Sequence, residues 1–172
     1  SPIDLPPPYV VTDSPVKPLF QYVEVGPESE LTTLDQLIIA GEDIKLRNYD
    51  GHLSLLYNNF GKIVTLDGAV YKAEEITFHT PSNHKIMGKT FPLEVSIIHY
   101  GISKGDIAKQ VILSFLFEKK AGIYNQFIDD LDFFNLPNPS QKSKSISNRL
   151  YVPKILFEAH GENDDQIISM KP

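Results

Sequence analysis

Between Leu19 and Glu118 the chain is a succession of short runs rich in β-branched and aromatic residues, separated by turn-forming clusters. That spacing constrains the fold more than any other feature. Phe20-Gln21-Tyr22-Val23-Glu24-Val25 alternates in character and is broken by Gly26-Pro27. Further strands are predicted over Asp43–Asn48, His52–Tyr57, Lys62–Leu66, Val70–His79, Phe91–Tyr100 and Gln110–Glu118. Turn chemistry separates the earlier ones at Tyr49-Asp50-Gly51, Asn58-Asn59-Phe60-Gly61 and Asp67-Gly68. A single segment has helical spacing: Ile123, Phe127, Ile128, Leu131 and Phe134 fall on one face of a helix over Ile123–Phe134. Asn135-Leu136-Pro137-Asn138-Pro139 stops it. Such a pattern predicts a mainly β domain with a large sheet and few helices.

The flanks differ from this centre. Residues 1–18 carry Pro6, Pro7, Pro8, Pro15 and Pro18, which oppose regular ladders, and are expected to form an arm docked through Ile3, Leu5, Tyr9 and Val10. The β domain is expected over 19–157, with Ser140–Ser147 as an exposed polar loop and Leu150–Phe157 as a last short strand. Residues 158–172 read as an acidic, irregular tail, and no internal repeat is visible.

A length of 172 residues suggests one domain. The formal net charge of −6 argues against a nucleic-acid partner, because such binding needs a basic face to displace counterions. With no cysteine, disulfides, thiolate zinc sites and cysteine nucleophiles are excluded. The longest apolar stretch, Val111–Phe117, is interrupted by Ser114 and falls well short of the roughly 18 residues that cross a bilayer, so no transmembrane segment is expected. The opening Ser1-Pro2-Ile3-Asp4 has no leader-like character, which a trimmed start would also give. Asn138-Pro139-Ser140 is blocked by its proline as a glycosylation acceptor. Compartment stays open, with a lean toward a secretory, cell-surface or organellar setting.

Three blocks stand out by their order: Ser1-Pro2-Ile3-Asp4, then Asn48-Tyr49-Asp50-Gly51-His52, then the long run from Tyr71 to Tyr100. The last contains Ile76-Thr77-Phe78-His79-Thr80, Ser82-Asn83-His84 and Gly88-Lys89-Thr90-Phe91-Pro92-Leu93-Glu94-Val95-Ser96-Ile97-Ile98-His99-Tyr100. Together they resemble the α-type carbonic anhydrases. In that family the blocks read Ser-Pro-Ile, a stretch bearing the proton-shuttle histidine, and Phe-His-Phe-His-Trp followed by Ser-Glu-His and Gly-Lys-x-(Phe/Tyr)-Pro-x-Glu-(Leu/Val)-His-x-Val-His-(Trp/Tyr). The resemblance implies an α-carbonic anhydrase-like fold with a large, mostly antiparallel central sheet. The family's later Leu-Thr-Thr-Pro-Pro segment and its early Trp-rich segment have no counterpart here. The chain is therefore expected to match the central part of the domain, with further chain or another polypeptide completing the sheet.

The resemblance places the family's three zinc ligands on Thr77, His79 and Ser96, its shuttle on His52, its ligand-orienting carboxylate on Glu94 and its gatekeeping glutamate on Asn83. Thr77 and His79 share a strand face. One imidazole and two neutral alcohols are poor zinc donors, unable to bring a bound water's pKa to about 7. No zinc, no other cofactor and no catalytic residue are expected. His84 and His99 are expected to be buried and hydrogen-bonded, with His99 on the face opposite Ser96. His52 and His160 are expected to be surface histidines. Glu74 and Glu75 should diverge, and Asp129-Asp130 and Asp164-Asp165 should be solvated.

These expectations add up to a non-catalytic subunit, structural or binding, in a larger protein assembly. Three alternatives stand beside it. One is a divergent zinc-dependent carbonic anhydrase (carbonate dehydratase). A second is a hydrolase using Ser96 as nucleophile, His79 as base and Glu94 as orienter, although no oxyanion hole is marked. The third is a cell-surface recognition domain using the degenerate cavity or a basic groove; separately, Lys142, Lys144 and Arg149 make a small basic cluster that hints at anion binding.

Overall fold

The computed structural model describes residues 3–5, 19–22, 24–25, 44–49, 52–102, 109–122, 125–131, 136–137, 143–146, 150–152 and 155. In chain order the elements are β1 Asp4–Leu5, β2 Leu19–Tyr22, β3 Glu24–Val25, β4 Ile44–Tyr49, β5 His52–Val64, β6 Val70–His79, β7 Lys85–Ile86, β8 Lys89–Thr90 and β9 Leu93–Gly101. After these come β10 Gln110–Phe117, α1 Gln126–Asp130, β11 Lys144–Ile146 and β12 Leu150–Tyr151. The principal sheet is antiparallel throughout and runs β10-β9-β6-β5-β4-β11, with β2 also pairing β5. The expected mainly β fold with a large central sheet is the one observed. Among the described residues no helix is long and apolar enough to cross a membrane.

Alternation along the strands separates the two faces of this sheet. One cross-strand row, Leu46–Leu55–Ile76–Ile97–Leu113, is apolar and buried on all five strands. Phe127 and Leu131 of the α1 region pack with this face, as do Ile146, Leu150, Val152 and Ile155. Each such side chain contributes roughly 1.5–3 kcal/mol when removed from water, so this face carries most of the folding energy.

Where the sequence predicts a turn at Asn58-Asn59-Phe60-Gly61, the structure has one continuous strand of 13 residues. Its register against β6 shifts between Leu56, opposite Glu75, and Gly61, opposite Ala73. The turn-forming residues build a bulge instead. The bulge lets one edge of β5 serve two partners, β4 before it and β2 after it. Gly61 has φ +131°, and a Cβ there would lie 2.3 Å from the Gln21 carbonyl of β2, so only glycine fits.

Three other expectations are corrected. Lys144–Ile146, expected in a loop, is a strand on the open edge of β4, because Ile146 reaches the core while Ser145 faces solvent. The strand expected over Leu150–Phe157 ends at Tyr151, and Ile155 N–H instead donates to the Val152 carbonyl at 3.0 Å. Pro153, which lacks an N–H, cannot extend a ladder there. The arm docks at Asp4–Leu5 through its backbone, by parallel pairing with β7, whereas Ile3 and Leu5 are exposed. Helix α1 is described over five residues, capped by the Asn125 side chain, which accepts from Ile128 N–H at 3.1 Å. Tyr9, Val10, Ile123, Phe134 and the tail 158–172 lie outside the described residues.

His99, fully buried on β9, tests the energetics of this core. Its Nδ1–H donates to the Val111 carbonyl at 3.0 Å, so Nε2 accepts from the Tyr22 hydroxyl at 2.8 Å. Burial pulls its pKa from 6.5 down to about 4, outweighing its backbone hydrogen bonds, and burial pushes the Tyr22 phenol up. A buried neutral histidine must gain a proton on unfolding whenever the pH is below 6.5. Stability should therefore be full above pH 6.5 and fall by about 1.4 kcal/mol per pH unit as pH drops toward 4. Urea unfolding between pH 7 and 5 should show this slope, and His99→Gln should flatten it.

Candidate functional site

On the opposite face, one residue out of step with the apolar row, the register aligns Ser54 of β5, Thr77 of β6, Ser96 of β9 and Ser114 of β10. Thr77 and Ser96 stand directly opposite each other, and the next row sets His79 opposite Glu94. Thr77 and His79 of β6 and the distant Ser96 of β9 thus share one face of the sheet. The extra residue that makes this register possible is at the β6 bulge between Ala73 and Glu75. Without it Thr77 and His79 would point into the apolar core.

The hydroxyl row is engaged with itself and its neighbours. Ser96 Oγ lies 3.1 Å from Glu94 Oε1 and 2.7 Å from Ser114 Oγ. A carboxylate can only accept, so Ser96 donates to Glu94 and Ser114 donates to Ser96. Thr77 Oγ1 lies 3.5 Å from the Ser96 carbonyl, at the limit of hydrogen bonding. Ser54 Oγ donates to Glu75 Oε1 at 2.7 Å, while Glu74 lies beside Lys72, so the two neighbouring glutamates do diverge.

Glu94 is buried and fully engaged. Its Oε2 accepts from the backbone N–H groups of Asn83 and His84, each at 2.9 Å, and its Oε1 accepts from His84 Nδ1 at 2.6 Å. Burial raises its pKa, but the His84 backbone and ring bonds, the His84 charge and the Ser96 bond more than reverse this, holding the carboxyl below the usual range. Asn83 is exposed and takes part through its backbone rather than its side chain.

His79 is half-buried, and its ring stacks on His52 with centroids 5.2 Å apart. His52 stacks in turn on Tyr49 at 5.0 Å, and the Arg47 guanidinium lies over the Tyr49 ring. His52, expected at the surface, is therefore the half-buried middle of a stack. Burial, and then the neighbouring His52, pull the His79 pKa down against the opposing pull of Glu94, so this imidazole is neutral near pH 7. His99 faces away from Ser96, as its parity predicts. Among the described residues, no three His, Asp or Glu side chains are grouped to hold a metal ion. Ser54 was not singled out from the sequence, Ser114 only as a break in an apolar run, and Glu75 only as diverging from Glu74. A lone serine within the apolar run Val111–Phe117 was the available signal for Ser114.

No family model matches the chain. It is 34% identical over 64 residues to alpha carbonic anhydrase 5 of Arabidopsis thaliana, covering 37% of this chain and 23% of that protein. It is 28% identical over 103 residues to dioscorin dioA3 of Dioscorea japonica, covering 59% of this chain and 36% of that protein. The fold superposes on the α-carbonic anhydrase of Thermovibrio ammonificans, solved with sulfanilamide. There the TM-score is 0.66 and the identity 21%, covering 96% of this chain and 60% of that one. The chain is similar in sequence to α-carbonic anhydrases over part of its length and shares their fold. In each of these comparisons it spans less than two thirds of the relative's own length. Within this carbonic anhydrase-like chain Glu94 serves as a tether. It fastens the segment from Thr80 to Pro92 to the sheet.

Glu94→Gln replaces an acceptor-only group by one with a donor end, which must face either two N–H groups or the His84 Nδ1–H. We expect a loss of about 2–3 kcal/mol, a drop in Tm of roughly 5–10 °C, measured by thermal unfolding. Ser114→Ala should cost only about 1 kcal/mol, since it removes one hydroxyl bond.

Proposed function

We propose that this chain is a non-catalytic carbonic anhydrase-like domain, a structural or binding subunit of a larger protein assembly. The observation that carries the reading is the state of Ser96. Its hydroxyl proton is committed to Glu94 and its lone pair to Ser114, at a position where the family resemblance places a zinc-ligating histidine. Thr77, at a second such position, offers another neutral alcohol. His79, at the third, is turned face to face with His52. One imidazole with two alcohols does not fit zinc, which binds imidazole, thiolate and carboxylate. Glu94 has no acceptor capacity left over for orienting a ligand, being filled by Asn83, His84 and Ser96. The hydrolase alternative is weakened by the same contacts, because the Ser96 hydroxyl is directed at Glu94 and Ser114.

The subunit half of the reading is supported by β10. Among the described residues it pairs with β9 alone, in eight consecutive registered pairs without a bulge. Gln110–Phe117 contains no charge, proline or glycine, and Ile112 is 54% exposed. Sheet edges that face water are ordinarily protected by such features. A covering polypeptide is the simplest occupant of an edge that lacks them.

Two measurements test the two halves. Purified protein should retain less than stoichiometric zinc by metal analysis and show no carbon dioxide hydration above the buffer rate. Thr77→His with Ser96→His should raise zinc affinity at least 100-fold by restoring three imidazoles. One tightly held zinc per wild-type chain together with hydration activity would reject the non-catalytic reading. For the subunit half, Ile112→Lys should reduce co-purification with the native assembly at unchanged Tm. Retention of the variant at wild-type levels would count against β10 as the contact.

A further inference from the structure

A cleft of about 430 Å³ opens where the apolar face of the sheet ends, and it reaches round to the His52 ring that stacks on His79. Its floor is Leu53, Phe78 and Leu93, from three adjacent strands, and Asn48 extends the Leu53–Phe78 row to β4. Ile128 of α1 and Leu136 form the facing wall. Asn48 Nδ2 donates to the Pro137 carbonyl at 2.9 Å, which holds that wall to the sheet. Here the core layer ends short of the sheet. β6 finishes at His79, and the next residue on the apolar side is the small Thr80. Among the described residues its polar lining comes from Asn48, Tyr49, His52 and Thr80.

We propose that this cleft binds a small, uncharged, flat aromatic molecule of the indole class. Its volume falls within the roughly 300–1,000 Å³ of small-molecule pockets. Among the described residues no carboxylate, ammonium or guanidinium lines it, so none of them would offset the desolvation of a charged ligand. The Phe78 ring in the floor and the Tyr49 and His52 rings at the rim favour an aromatic surface over an aliphatic one. The rim hydroxyl, amide and imidazole allow a hydrogen bond at the mouth. That selects a ring system carrying one N–H or O–H and an otherwise apolar body. The inference does not depend on the non-catalytic reading, because none of Thr77, His79 and Ser96 lines the cleft, and only the His52 ring, stacked on His79, adjoins both.

Methyl-labelled full-length protein titrated with indole provides the test, with benzoate and benzylamine as charged counterparts. Saturable shifts are expected at the methyls of Leu53, Leu93, Ile128 and Leu136, with a Kd of roughly 0.1–1 mM for a probe of this size. Ile98, Ile112 and Leu116, on the other face, should not move. The charged probes should bind at least tenfold more weakly. Thr80→Phe and Ile128→Trp, each placing a ring in the cleft, should weaken indole binding at least tenfold, while Ser114→Ala should leave it unchanged. The proposal is overturned if indole gives no saturable shifts, if the shifts map to the other face, or if benzoate binds equally well. Should both cleft variants unfold, the wild-type methyl map with the three probes decides by itself.

Discussion

A carboxylate taken out of water is tolerable only when donors surround it, and Glu94 has four: two backbone N–H groups, one imidazole N–H and one hydroxyl. That requirement organises everything near it. It draws Asn83 and His84 onto the start of β9 and so fixes the segment between β6 and β9. Within this segment Ser82 Oγ donates to the His84 carbonyl and accepts from Phe91 N–H. The β7–β8 turn, with Met87 and Gly88 both at positive φ, then reaches back to Asp4, whose carboxylate accepts from Gly88 N–H at 2.9 Å. The N-terminal arm, the hairpin and the sheet are therefore linked through one buried charge.

Register does the remaining work. A period of two puts the apolar row Leu46–Leu55–Ile76–Ile97–Leu113 on one face and the hydroxyl row Ser54–Thr77–Ser96–Ser114 on the other. Two bulges keep that assignment true over long strands. The one at Glu74 restores the parity of Thr77 and His79, and the one before Gly61 divides the edge of β5 between β4 and β2. Folding energy comes from the first row, and the chemistry of the second contributes little to it. Side chains on the polar face can therefore change identity while the fold persists, provided the replacements satisfy one another.

The strands were legible because alternation and turn chemistry agree over β4, β6, β9 and β10. The pairing of Thr77 with His79 on one face, and the opposite parity of His99, followed from period two alone. What was not legible has physical causes. Asn58-Asn59-Phe60-Gly61 has the composition of a turn, and local composition does not distinguish a turn from a bulge. That choice depends on β2 needing Gly61 for its close approach. Lys144–Ile146 is polar by count, and its single buried residue, Ile146, gains its partner from β4, roughly a hundred residues away in the chain. The serine contacts escaped notice because a hydroxyl's partner is set across strands, where sequence distance carries no information.

The same separation of faces gives the two sides of the sheet different needs. On the polar face Ser114 bonds to Ser96, Ser96 to Glu94, and Thr77 reaches the Ser96 carbonyl, so these hydroxyls are engaged within the protein. On the apolar face the core row is complete as far as Phe78 and stops there, because Thr80 is too small to continue it against Ile128 and Leu136. Hydrogen-bonded alcohols satisfy one another without any ligand. An apolar wall has no such recourse and is stabilised by whatever apolar surface it can cover. The cleft on the core side is therefore the surface that gains from being occupied.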